Sequence, residues 1–155
     1  MHRSIRLAAA VALTACASVG SPAPATRPME SIPFASTLDV NLGRMTKTAS
    51  GLYYRDLEVG TGALVKGRED VKVHYTGWLT NGTKFESNAE SDPPLTLPLG
   101  RGRAIRGFDE GLVGMRVGGR RQLVIPPELG YGSNRSGQIP ADAVLVFELK
   151  VVSVK

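Results

Sequence analysis

The chain carries a single cysteine, Cys16, in 155 residues. That excludes an internal disulfide and any metal site built from several thiolates. Histidine is nearly as scarce, with His2 and His74 the only two. Neither can gather a metal-ligand cluster, so no metal is expected. Apolar runs are short: one unbroken run covers residues 7–13, far below the roughly 20 residues that span a bilayer as a helix. Nor does one sign of charge dominate. The 19 Lys and Arg against 14 Asp and Glu give +5, and setting aside Arg3 and Arg6 leaves 17 against 14, or +3. That is an ordinary solvated surface, and no nucleic-acid partner is expected. What the chain has in quantity is 18 Gly and 10 Pro, the mark of many turns, and a hydrophobic fraction of 42% that suits one globular domain with an extension.

Residues 1–15 begin basic (His2, Arg3, Arg6) and continue into the short apolar run, the pattern of a secretory signal peptide. Leu13-Thr14-Ala15-Cys16 resembles the bacterial lipobox, which implies cleavage before Cys16 and lipid attachment to its thiol. More than one acyl chain is needed for a stable hold. Ala17 is not acidic, which favours the outer membrane, so the expected location is the periplasmic face of the cell envelope. Residues 16–45 hold Pro22, Pro24, Pro28 and Pro33 without a sustained period and read as a flexible tether. Ile32, Phe34 and Leu38 are apolar enough to dock, at a place the sequence leaves open.

The domain is expected over residues 46–155. Val71, Val73 and Tyr75 alternate with Lys72, His74 and Thr76, a half-buried strand. Asn81-Gly82 predicts a two-residue type I′ turn, and Phe85 then lies on the return strand. Leu95, Leu97 and Leu99 share one face of a run that Pro98 assigns to an edge. Residues 108–115 predict the one helix, with Phe108, Leu112 and Met115 as its apolar stripe and Asp109 and Glu110 at its positive end. A strand over residues 120–125 stops at Pro126-Pro127, a long loop follows to Pro140, and Leu145, Phe147, Leu149 and Val151 face one way along the last strand. Loops of that length tend to be functional. The class is α+β: a curved antiparallel sheet half-wrapped around one short helix.

Val73-His74-Tyr75-Thr76-Gly77, Gly82-Thr83-Lys84-Phe85, Ile105-Arg106-Gly107-Phe108-Asp109-Glu110-Gly111, Ile125-Pro126-Pro127, Tyr131-Gly132, Ile139-Pro140 and Leu145-Val146-Phe147 occur in that order. Together they resemble the FKBP-type peptidyl-prolyl cis–trans isomerases across residues 48–154. The resemblance implies an aromatic pocket for a substrate proline, formed by Tyr75, Phe85, Phe108 and Phe147. It implies that Ala104 and Ile105 form the rim, with the Ile105 N–H bonding a substrate carbonyl. Tyr131 would donate its hydroxyl to the peptide, Glu86 would supply the site carboxylate, and Leu97 and Ile139 would complete the apolar walls. Implied partners are proline-containing polypeptides and macrolide inhibitors, with the protein a monomer and its membrane contact the lipid on Cys16. Glu86 stands where the family usually has Asp, one methylene longer, and Leu95 and Leu97 replace positions that are commonly aromatic.

These residues suit the reaction the family catalyses. The X-Pro bond turns over a barrier of ~18–20 kcal/mol because rotation breaks C–N resonance. A twisted amide is less charge-separated than a planar one, so a dry apolar site favours it, and fixed donors add to that preference. No nucleophile, metal or cofactor is required. Taken singly, each aromatic is more often core than pocket; Trp78 is read as structural or surface, and His74 as a core or hydrogen-bonding residue. Gly100, Gly102 and Gly107 do not make a dinucleotide loop. Arg101, Arg103, Arg106, Arg116, Arg120 and Arg121 read as a solvated basic face. A second reading, a proline-binding holdase with weak or no turnover, follows from the longer carboxylate at Glu86.

Overall fold

Alternation of apolar and polar side chains along the extended runs produces one curved antiparallel sheet of seven strands. The computed structural model describes residues 27–88 and 93–155, so the expected leader and Cys16 lie outside the described residues. The strands are β1 (Thr46–Lys47), β2 (Tyr53–Glu58), β3 (Asp70–Leu79), β4 (Lys84–Asn88), β5 (Leu95–Pro98), β6 (Arg120–Ile125) and β7 (Leu145–Val154). Their order is β1-β2-β6-β7-β3-β4, and β5 pairs with β3. Pro98 thus ends an edge strand, where its missing N–H costs no ladder bond. Leu97 and Leu99 enter the core as expected, whereas Leu95 is 40% exposed.

The one α-helix among the described residues, α1 (Arg106–Leu112), lies on the concave face against β6. It starts earlier than the apolar stripe suggests. It ends at Leu112 because Val113 is extended (φ −62°, ψ 133°) and Gly114 takes φ +85°. Met115 is buried but lies beyond the helix. Seven residues with two glycines form no stable helix alone; what holds α1 is its close approach to the sheet. A Cβ on Gly107 would fall 2.5 Å from Ile125 Cγ2, and one on Gly111 would fall 2.3 Å from Leu123 Cδ1. The two glycines, one helical turn apart, seat the helix on β6 and set the depth of Phe108.

Arg121 departs from the expected solvated face. It is buried, donating from Nε to Asp56 Oδ1 at 2.6 Å and from Nη1 to the carbonyls of Gly111 (3.0 Å) and Val113 (3.2 Å), with its guanidinium 4.5 Å from the Tyr54 ring centre. The end of α1 has no basic residue of its own. Arg121 supplies from the neighbouring strand the donors that free C-terminal carbonyls need.

The convex face is covered by the chain before β1. Three short 3-10 turns, Met29–Ser31, Ser36–Leu38 and Leu42–Arg44, carry Ile32, Phe34 and Leu38 onto Tyr53, Val124, Val144, Val146 and Trp78. This is where the apolar residues before β1 dock. Polar bonds fix the strap: Gln122 Nε2 donates to the Leu38 carbonyl (2.7 Å), the Ala35 N–H to the Thr80 carbonyl (2.8 Å), and the Tyr53 hydroxyl to Glu30 (2.7 Å). Trp78 is structural, packed beneath this strap.

Candidate functional site

The concave face of β3 carries Val71, Val73, Tyr75 and then Gly77. Gly77 pairs directly with Phe147 on β7. A Cβ at Gly77 would lie 2.7 Å from both Phe147 Cε1 and Phe85 Cζ. The missing side chain is therefore the space in which two rings meet. A glycine inside a strand signals such a close approach, and this signal was open to sequence reasoning although no role followed from it there.

Phe85 reaches that space by a route the turn dipeptide does not predict. A type I′ turn needs positive φ at both Asn81 and Gly82, and of the two only Gly82 has it, at +88°. The Gly82 N–H donates to the Leu79 carbonyl (2.9 Å) and the Leu79 N–H to the Thr83 carbonyl (2.8 Å), so the loop is Thr80-Asn81-Gly82. A two-residue turn would have set Phe85 opposite Trp78, on the convex face. Instead Trp78 pairs with Lys84 and Gly77 with Glu86, which makes Phe85 the extra residue of a bulge. Bulges re-aim side chains, and this one turns the ring inward.

The four expected pocket aromatics form one connected set. Phe147 is the hub: its ring centre lies 5.5 Å from Phe108, 5.6 Å from Phe85 and 6.5 Å from Tyr75. Tyr75 meets Phe108 edge-on at 5.6 Å. Edge-to-face contacts at these distances are the favourable arrangement for ring quadrupoles. Phe108 and Phe147 are buried, while Tyr75 and Phe85 are half-exposed, so the set has a closed base and an open side. Leu97 and Ile139 are buried in the same cluster, and Ala104, Ile105 and Tyr131 are packed at its margin. Ile105 occupies the N-cap of α1, with its carbonyl accepting from the N–H groups of Phe108 (3.0 Å) and Asp109 (3.2 Å).

The polar edge belongs to Glu86 and the two tyrosines. The Tyr75 hydroxyl donates to Glu86 Oε1 at 2.8 Å, so the longer carboxylate still reaches the ring set. Asn88 holds β3 in place: its Oδ1 accepts from the Tyr75 N–H (2.7 Å) and its Nδ2 donates to the Val73 carbonyl (3.1 Å). Burial, reinforced by the hydrogen bond to Glu86, pushes the Tyr75 phenol up to about 12. Burial likewise raises Tyr131, with the Glu86 charge adding to it. Both hydroxyls therefore stay protonated donors at neutral pH.

An unfolded tyrosine titrates near ~10. The folded site holds the neutral phenol, so its contribution to stability is complete below that pH and is lost as pH rises through about 12. Difference absorbance of phenolate between wild type and Tyr75→Phe at pH 11 is expected to show Tyr75 still mostly protonated, and Glu86→Gln to bring its titration down. A Tyr75 that ionises near ~10, as an unfolded tyrosine does, would mean that neither burial nor the Glu86 bond exists in solution.

Comparison with known proteins gives a consistent picture. The family model described as FKBP-type peptidyl-prolyl cis-trans isomerase matches residues 61–152. An FK506-binding protein of Neisseria meningitidis serogroup B is 51% identical over 106 residues, covering 67% of this chain and 96% of the relative. The FKBP-type peptidyl-prolyl cis-trans isomerase FkpA of Aeromonas hydrophila is 44% identical over 108 residues, covering 70% of this chain and 40% of its own. The crystal structure of FkpA from Escherichia coli superposes with a TM-score of 0.66 at 35% identity, over 72% of this chain and 52% of that one.

Proposed function

This chain belongs to the FKBP-type peptidyl-prolyl cis–trans isomerases, and from that membership we propose that it turns X-Pro bonds in exported polypeptides, using the ring set around Phe147 as the proline site. The proline ring enters the open side between Tyr75 and Phe85 and rests on Phe108 and Phe147. Water is excluded there, which disfavours the charge-separated planar amide relative to the twisted one. The Ile105 N–H and the Tyr131 hydroxyl each donate to a peptide carbonyl, holding the chain on either side of the rotating bond in its twisted form. Glu86 orients the Tyr75 hydroxyl. No covalent step is involved.

The observation that carries this reading is the connected ring set with a tyrosine–carboxylate pair at its open side. The Tyr75–Glu86 bond also favours turnover over the holdase reading, because the carboxylate makes the contact that its extra methylene put in question. The test is an isomerisation assay on a short proline peptide, followed by exchange NMR. Wild type is expected to accelerate exchange, and a macrolide competitor to abolish it. Tyr131→Phe is expected to lose roughly 2- to 12-fold in kcat/KM, the worth of one neutral hydrogen bond of about 0.5–1.5 kcal/mol. No acceleration by the wild type would return the protein to a binding role.

The second part of the proposal concerns place. Cleavage before Cys16 and lipid attachment to its thiol would hold the domain at the periplasmic face of the outer membrane, through the residues between Cys16 and the strap. What supports this is the lipobox-like Leu13-Thr14-Ala15-Cys16 behind a short apolar run. Labelled palmitate incorporated by the wild type and absent from Cys16→Ser is the expected result; equal labelling of the two would remove the anchor from the account.

A further inference from the structure

A cleft of about 840 Å³ opens beside the ring set, and none of the four ring-set aromatics lines it. Its walls come from the chain before β1, from Lys47 and the β1–β2 turn, from the β3–β4 loop and from the two ends of the long loop between β6 and β7; Ile32, Leu79, Pro127, Pro140 and Val144 give it an apolar surface. Arg27 and Lys47 stand at its margin with Glu128 and Asp142, two charges of each sign. A balanced rim offers no advantage to a polyanion such as nucleic acid or a phosphate headgroup. It suits a polypeptide, which brings apolar side chains together with charges of both signs.

The cleft and the ring set are joined through the backbone that mounts Tyr131. The Pro127 carbonyl, in the cleft wall, accepts from the N–H of Gly130 (3.0 Å) and of Gly132 (2.8 Å), the two neighbours of Tyr131. Asp142, which also lines the cleft, donates its N–H to the Gly132 carbonyl at 2.8 Å. Asp142 is held at φ 54°, a left-handed conformation that non-glycine residues adopt at a cost and that recurs at ligand clamps.

We propose that this cleft is a second subsite for the client, taking an extended apolar stretch of the same unfolded polypeptide whose X-Pro bond turns in the ring set. The inference rests on the isomerase reading above. A peptide of four residues around one proline is too short to occupy both places, whereas an unfolded protein is long enough, since an extended chain gains about 3.3 Å per residue. The cleft therefore raises activity on proteins relative to peptides.

The test uses the full chain and two substrates: a proline tetrapeptide, and an unfolded protein whose refolding is limited by one X-Pro bond. Ala141 is exposed, lines the cleft and lies outside the ring set, so Ala141→Trp fills the subsite. The ratio of protein to peptide kcat/KM is expected to fall about fivefold or more, with Ala141→Arg as a second variant that obstructs the same wall. An unchanged ratio in both variants, with wild type active on both substrates, overturns this inference and leaves the isomerase reading intact. A wild type inactive on the tetrapeptide overturns both. A fall in the ratio that disappears on dilution would identify a second copy of this chain as the occupant, and would equally overturn it.

Discussion

Phe147→Ala is expected to cost about 3–5 kcal/mol of stability, the range for removing a buried Phe from a packed interior. The ring is 3% exposed and is the common partner of Tyr75, Phe85 and Phe108. Its loss leaves three rings without their shared contact, and each such aromatic pair is worth about 0.5–1.5 kcal/mol beyond area burial. A domain of this kind has about 5–15 kcal/mol in all, so the variant sits near the edge of folding but need not cross it. Denaturant unfolding measures the loss directly, as a lower midpoint at unchanged slope. Proline-peptide turnover in the folded fraction is expected to fall with it, because Phe108 and Phe85 no longer bound a single space. Phe147→Leu, which keeps much of the volume but none of the ring contacts, is expected to lose less stability than the alanine variant. A stability change below ~1 kcal/mol for the alanine variant would mean that Phe147 is not the hub in solution, and undiminished turnover would move the proline site elsewhere.

What the sequence revealed and what it concealed divide along physical lines. The concave stripe Val71, Val73, Tyr75 and the matching stripe Leu145, Phe147, Leu149, Val151 were readable because a strand's side-chain period is two and only one face is buried. The four aromatics could be named from the resemblance alone, and their mutual contacts confirm that they meet. The strap over residues 29–45 was not readable, since three separate 3-10 turns leave no periodic signature for its docking on Tyr53 and Val146. Arg121 was hidden for a different reason. An arginine is buried only when acceptors from elsewhere converge on it, and here they come from β2 and from the end of α1. The β3–β4 turn misled because Asn-Gly strongly favours one turn type locally, while the long-range need to bring Phe85 against Phe147 is met by a three-residue loop and a bulge.

Gly77→Ala is the sharpest probe of that last arrangement. A methyl group there would stand 2.7 Å from a ring carbon of Phe147 and 2.7 Å from one of Phe85. Rings are stiff, so one must move as a body. Phe147 is buried between β3, β6 and α1 and has nowhere to go, whereas Phe85 is half-exposed on a short strand with a bulge. The methyl is therefore expected to push Phe85 outward and open the pocket. Overpacking of this kind costs about 1–3 kcal/mol, and alanine recovers only a part of that through its lower conformational entropy in the unfolded chain, about 0.4–1 kcal/mol. Net destabilisation is modest, but activity is expected to fall about 10-fold or more, since each ~1.4 kcal/mol of lost transition-state binding is a factor of ten. A double-mutant cycle with Phe85→Leu separates the causes: the smaller side chain leaves room for the methyl, so the stability costs of the two changes are expected to combine to less than their sum. Strict additivity would show that the two positions do not touch. Full activity in Gly77→Ala would show that the pocket does not depend on the position where β3 carries no side chain.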